Sequence, residues 1–161
     1  MKIKFLTTGG TIDKVYFDAK SEFQVGPPQV EDLLRDVNVQ FAHETESILR
    51  KDSLDMSDAD RALLRDRVLA ENCQRIIITH GTDTMVQSAL ALRDIPGKTI
   101  VLTGSMQPAR FRSTDATFNL GTAVTAVQTQ PPGVYIAMNG RIFDPARCRK
   151  NVANHCFEEI P

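Results

Sequence analysis

Six consecutive residues, Thr79-His80-Gly81-Thr82-Asp83-Thr84, gather hydroxyl, imidazole and carboxylate groups on one flexible segment. Two other segments share that character, Thr8-Gly9-Gly10-Thr11 and Thr103-Gly104-Ser105-Met106. Such residues also make ordinary turns and caps, which is the plain reading of any one segment alone. Their repetition points instead to a pocket for a small polar ligand. A threonine hydroxyl is a poor nucleophile until a neighbouring base accepts its proton. Lys150 can be that base only if burial or its neighbours hold it neutral, with Asp83 to orient it. The flatter alternative leaves Lys150 on a solvated face with Arg147 and Arg149, and from the sequence alone that alternative is the stronger.

Other chemistries fit less well. Gly9-Gly10 lacks GxGxxG spacing, no acidic residue stands where a ribose would need one, and the GK[ST] ending of a phosphate loop is missing. His43, His80 and His155 are scattered and do not form a metal-ligand set. The GxSxG elbow of many serine hydrolases is absent as well. We therefore expect neither a cofactor nor a metal.

Each polar segment follows a run that reads as a strand. Ile76-Ile77-Ile78-Thr79 is β-branched and dense, like a strand buried on both faces, and an amphipathic helix from Met85 to about Leu92 follows the loop. Ile3–Thr7, Thr99–Leu102 and Val134–Met138 are further short strands. Helices are predicted at Val30–Val37, from Ser57 as N-cap with Asp60 three residues on to about Glu71, and at Asp115–Val127, where Phe118 accompanies small residues suited to close packing. The alternation Val37, Val39, Phe41 predicts a strand over Val37–Ala42, and residues 43–56 are mixed, with a short strand candidate at Ser47-Ile48-Leu49. Thr11–Gln29 has no sustained period and reads as a long lid or binding loop. Near the end, Arg141-Ile142-Phe143 is expected to form a small hairpin returning near Arg149-Lys150. Strands alternating with helices predict a three-layer α/β/α sandwich around a mostly parallel, Rossmann-like or flavodoxin-like sheet. In such a sheet the polar segments leave from one edge, where ligands bind.

Composition narrows the partners. The 161 residues suit one domain with a sizeable core, and a net charge of −1 gives no electrostatic case for nucleic acid or an anionic membrane. No apolar run is long enough to span a bilayer, and the apolar start before Thr7-Thr8-Gly9-Gly10 is too short for a signal peptide. Cys73, Cys148 and Cys156 lack paired spacing and point to a reducing, cytoplasmic setting.

Thr8-Gly9-Gly10-Thr11-Ile12 and His80-Gly81-Thr82-Asp83-Thr84-Met85 resemble the two signature motifs of the bacterial-type L-asparaginases. Gly104-Ser105-Met106-Gln107-Pro108, Asp115, Asn119-Leu120 and Gly140-Arg141 continue the pattern in order, so the resemblance covers nearly the whole chain. It implies a single domain of the asparaginase N-terminal type over residues 1–161. It also implies hydrolysis of the side-chain amide of asparagine, or in some members glutamine, to the acid and ammonia without a cofactor. By the same resemblance Thr11 is the primary nucleophile, and Thr82, Asp83 and Lys150 form a triad-like group. Asp83 also faces the substrate ammonium group, Ser53 binds the α-carboxylate, Gly10 lies in the substrate site, and the Ser105 carbonyl meets the leaving amide. Whether Lys150 transfers a proton or acts through its charge is left open by the resemblance.

Three departures accompany it. Phe23 stands where members often carry a tyrosine that assists the nucleophile, so Tyr16, in the same flexible segment, becomes the substitute candidate. Leu54 replaces a glutamine often found after the carboxylate-binding serine. Members are usually much longer, and their C-terminal domain completes a neighbouring subunit's site. The expectation is a short enzyme acting on a small amino acid as a homodimer or homotetramer. The alternatives are a glutaminase or other small-amide hydrolase, and a non-catalytic module that binds aspartate or asparagine.

Overall fold

Strand β5 (Arg75–Thr79) buries Ile76, Ile77, Ile78 and Thr79, as a strand covered on both faces must. In the computed structural model, which describes residues 1–160, it lies inside a six-stranded sheet. Its parallel neighbours are β1 (Lys2–Gly9) on one side and β6 (Thr99–Thr103) on the other. Beyond β1 lies β4 (Ala42–Lys51), and beyond β6 lies β7 (Gly133–Met138), both parallel. The last strand, β8 (Arg141–Phe143), is antiparallel to β7. The order β4-β1-β5-β6-β7-β8 is thus the flavodoxin-like 2-1-3-4-5 arrangement with one strand added.

Alternation along the strands divides the core in two. Ile76, Ile78, Ile100 and Leu102 join Leu64 and Val68 of α2 (Asp58–Ala70) and Met85 and Ala89 of α3 (Met85–Ala91) on one face. On the other, Phe5, Ile77 and Val101 meet Leu33 and Leu34 of α1 (Val30–Asp36) and Leu120, Ala123 and Val127 of α4 (Ala116–Thr129). The protein is therefore a three-layer α/β/α sandwich. Burying each large aliphatic side chain in it contributes about 1.5–3 kcal/mol. Helix α2 begins with the capping box foreseen from sequence: the Ser57 hydroxyl takes the Asp60 N–H, and Asp60 takes the Ser57 N–H.

Several local expectations need correction. Val37–Ala42 is not a strand: Asn38 turns the chain with φ 50°, and the strand beside β1 begins only at Ala42. Its register is set by pairing with β1 rather than by its own, poorly alternating, sequence. Thr11–Gln29 is an arm rather than a plain loop, a hairpin of β2 (Lys14–Phe17) and β3 (Glu22–Val25) standing off the sheet. Phe118 lies on the exposed side of α4 rather than in its packing face. Arg141–Phe143 does not return near Lys150. It folds back on β7 through Asn139-Gly140, whose φ angles of 54° and 75° suit the type I′ turn of a two-residue hairpin. Lys150 belongs to a separate pair, β9 (Cys148–Asn151) with β10 (Cys156–Glu159). Among the described residues, no helix is long and apolar enough to cross a membrane.

Candidate active site

In a sheet of this order the crevice opens where the strand order reverses, between the carboxyl ends of β1 and β5. There Gly10, with φ 89°, lies against Gly81 so closely that a Cβ at Gly10 would overlap the Gly81 Cα and N. Gly81 in turn lies on Ser53, where an added Cβ would come within 2.6 Å of the Ser53 Oγ. The Gly10 N–H donates to the Lys51 carbonyl at 3.0 Å, which closes the β1 and β4 ends together. Thr11 and Thr82 each follow one of the two touching glycines, which brings their backbones to the same contact.

Lys150 reaches this edge from β9. Its Nζ donates to Thr82 Oγ1 at 2.8 Å and to Asp83 Oδ1 at 2.6 Å. The Lys150 side chain is 16% exposed and Thr82 is buried, so the solvated-surface alternative for Lys150 does not describe this structure. Arg149, its neighbour, is the one turned outward, to Glu158. Two residues from the same loop and one far along the chain are thereby held in one charged, hydrogen-bonded group.

Ser53 is buried in the turn after β4 and held by the other half of the same loop, with Thr84 Oγ1 donating to the Ser53 carbonyl at 2.8 Å. Leu54 beside it is 71% exposed. Ser105 is buried too, and its hydroxyl is used up within its own turn by the Gln107 carbonyl, which leaves its backbone for any ligand. The arm places Tyr16 directly across from Phe23, ring to ring at 5.4 Å, and Phe23 packs on Phe111 at 5.5 Å. Opposed residues in an antiparallel pair share a face, so Tyr16 presents its hydroxyl on the side of the arm that Phe23 occupies. The structure thus brings Thr82, Asp83 and Lys150 into direct contact and sets Ser53, Gly10 and Thr11 around the crevice. Tyr16 stands on the arm, half exposed, outside that bonded group.

The sequence profile described as "Asparaginase, N-terminal" matches residues 2–160. The chain belongs to this family. An L-asparaginase of Thermococcus kodakarensis is 33% identical over 99% of this chain, and the structure of the thermostable L-asparaginase from the same organism superposes with a TM-score of 0.84 at 32% identity, covering 99% of this chain and 51% of that one. L-asparaginase I of Vibrio cholerae superposes with a TM-score of 0.85 at 28% identity, covering 98% of this chain and 51% of that chain. A glutaminase-asparaginase of Acinetobacter glutaminasificans is 34% identical over 81% of this chain. The chain spans about half the length of the first of these curated relatives, 51%, and 40% of the second.

Two buried groups, one in the Thr79–Thr84 loop and one at the base of the arm, hold these segments of the asparaginase N-terminal domain in place. His80 is held neutral, since burial lowers its pKa to about 4 against a weaker opposing hydrogen bond to Gly81. The Gly81 carbonyl can only accept, so His80 Nδ1 donates to it at 2.7 Å and Nε2 takes the Ser88 hydroxyl at 2.7 Å. Its part is to brace the loop. Asp13 is a residue the motifs did not single out. Burial pushes its carboxyl up to about 7, opposed by the Gln29 N–H and the Arg50 charge. Asp13 Oδ1 accepts that N–H at 2.8 Å and the Asp13 carbonyl accepts from Gly26 N at 2.8 Å, so one residue pins both ends of the arm. An acid two places after Thr11 was the available signal, and nothing in its neighbours announced burial.

Proposed function

We propose that this domain carries the threonine chemistry of an amidohydrolase that converts L-asparagine to L-aspartate and ammonia. The observation that supports it most is Lys150 Nζ bonded at once to Thr82 Oγ1 and Asp83 Oδ1. In this reading Thr11 Oγ attacks the side-chain amide carbon and its proton passes to the polar group around Lys150. Thr82 and backbone N–H groups stabilise the oxyanion. The C–N bond then breaks, the nitrogen leaves as ammonia, and water cleaves the resulting threonine ester to release aspartate. Asp83, partly exposed, faces the substrate ammonium, Ser53 the α-carboxylate, and the Ser105 carbonyl the departing amide. Gly10 lines the site because nothing larger fits against Gly81. Tyr16 supplies from the arm the hydroxyl that Phe23 lacks. We further propose that the active form is a homodimer or homotetramer, in the cytoplasm.

A second substrate is favoured by one finding: a similar protein is named glutaminase-asparaginase. Ammonia release from asparagine and from glutamine, measured side by side, tests both readings. Lys150→Ala should lower the rate on the preferred amide by about 10²–10⁴-fold, the usual weight of a positioned proton-transfer group, and Thr11→Ala by at least as much. Equal rates for wild type and Thr11→Ala would overturn the proposal. Aspartate binding without any turnover would put a binding module in its place.

A further inference from the structure

The pair β9–β10 lies outside the six-stranded sheet, so the height of Lys150 above Thr82 and Asp83 must be set by a few ties. Phe157 is the residue directly across from Lys150 in the antiparallel register. Its ring is buried in the core beside Phe143, at a centroid distance of 6.4 Å. Its N–H turns away from β9 and donates to Asn139 Oδ1 at 2.9 Å. That direction makes Phe157 and Lys150 a non-hydrogen-bonded pair, whose Cα atoms stand about 4.5 Å apart. The pairs on either side, Cys156 with Asn151 and Glu158 with Arg149, are then the hydrogen-bonded ones, and they tie the position of Phe157 to that of Lys150.

Asn139 is itself held from below. Its N–H donates to Asn119 Oδ1 at 3.0 Å, and Asn119, fully buried on α4, donates to the Gly104 carbonyl at 3.0 Å and to Asp115 Oδ2 at 2.9 Å. Asp115 takes the N–H groups of Met106 and Gln107. One continuous chain of hydrogen bonds, buried at Asn119 and reaching the surface at Asn139, thus runs from the Ser105 turn, past the end of β7, to the residue opposite Lys150. The turn before β8 needs a residue that tolerates φ 54°, which Gly or Asp would satisfy equally. Only a residue with a side-chain acceptor also receives the Phe157 N–H.

We infer that Asn139 is a positioning residue, which fixes where Lys150 Nζ meets Thr82 and Asp83 by anchoring the strand opposite it. The catalytic part of this inference rests on the amidohydrolase reading. A displacement of about 1 Å in a reacting group can cost about 10²-fold in rate. Asn139→Gly keeps the positive φ and removes the acceptor, whereas Asn139→Asp keeps both. In the full chain, Asn139→Gly should lower kcat for ammonia release by about 10²-fold with KM little changed, and Asn139→Asp should restore it. A second measurement does not need turnover. Acetylation of Lys150 by a small acylating reagent, read by peptide mass spectrometry against the exposed Lys20, should quicken severalfold in Asn139→Gly and not in Asn139→Asp. Unchanged Lys150 labelling in Asn139→Gly would overturn the inference, as would equal kcat for the Gly and Asp variants of an active enzyme. Were wild type and Thr11→Ala equally inactive, the amidohydrolase reading would fall, and the labelling would still decide whether Asn139 positions Lys150.

Discussion

On one wall of the crevice, Thr82 is buried at the end of a strand whose last four residues are all buried, while on the other Tyr16 stands half exposed on a two-stranded arm. The strand wall is held by backbone packed on backbone at Gly10 and Gly81, by neutral His80, and by Lys150 across Thr82 and Asp83. The arm is held by a ring contact from Phe23 to Phe111, an ion pair from Lys14 to Asp52 at 2.7 Å, and the two bonds of Asp13. The first kind of construction preorganises donors where charge develops. The second, with few buried contacts, belongs to parts of a protein that open at low free-energy cost. A site divided in this way can keep its charges fixed while one wall admits the substrate.

Three substitutions would break or sharpen that contrast. The largest effect is expected from Gly10→Ala, which adds a side chain at positive φ and drives it into the Gly81 backbone. Strain and overpacking together should cost about 4 kcal/mol and remove activity with the fold, seen as a lower urea midpoint. A fully stable Ala variant would show that the strand wall is looser than described. Tyr16→Phe should leave stability within about 0.5 kcal/mol, since the ring is half exposed, yet reduce ammonia release by about 10²-fold. Unaltered turnover would reduce the arm to a cover without chemistry.

The third expectation, for Asp13→Asn, concerns stability alone. With a folded pKa of about 7 against the ordinary 3.8, the folded state binds the extra proton between those values. The stabilisation is complete below about pH 4 and is lost as the pH rises through about 7. Asn keeps an acceptor for the Gln29 N–H and carries no charge to desolvate. Its urea midpoint relative to wild type should therefore rise between pH 5 and pH 8, and a constant difference would mean that the arm's base does not titrate.

Legibility followed the same division. Ile76–Thr79 and Thr99–Thr103 stand out in the sequence because strands buried on both faces must be continuously apolar, and the polar loops after them mark the active edge. Ser57 and Asp60 announced a helix start because the capping box is a local arrangement. Of the edge strand Ala42–Lys51 only the candidate Ser47-Ile48-Leu49 was legible, because its charged residues answer to solvent and to partners such as Lys4 and Arg67, and not to a period of its own. The arm escaped because a hairpin with both faces partly exposed needs no clean alternation. The pair Asn139-Gly140 was a readable hairpin signal that pointed back to β7, where the expectation had looked forward toward Lys150.

The loop Thr79–Thr84 shows where the boundary between sequence and tertiary structure lies. Its place at a strand end, its hydroxyls and its carboxylate follow from local order along the chain, since periodicity and turn chemistry act over a few residues. Sequence by itself also carried the membership of residues 2–160 in the asparaginase N-terminal family. It could not decide between a solvated Lys150 and one bonded to Thr82, because the two are separated by 68 positions and meet only through the packing of β9–β10 on the sheet. The same holds for Asp13, Asn119 and Asn139. A polar residue's burial and partners are properties of the assembled layers, and no short stretch of chain contains them.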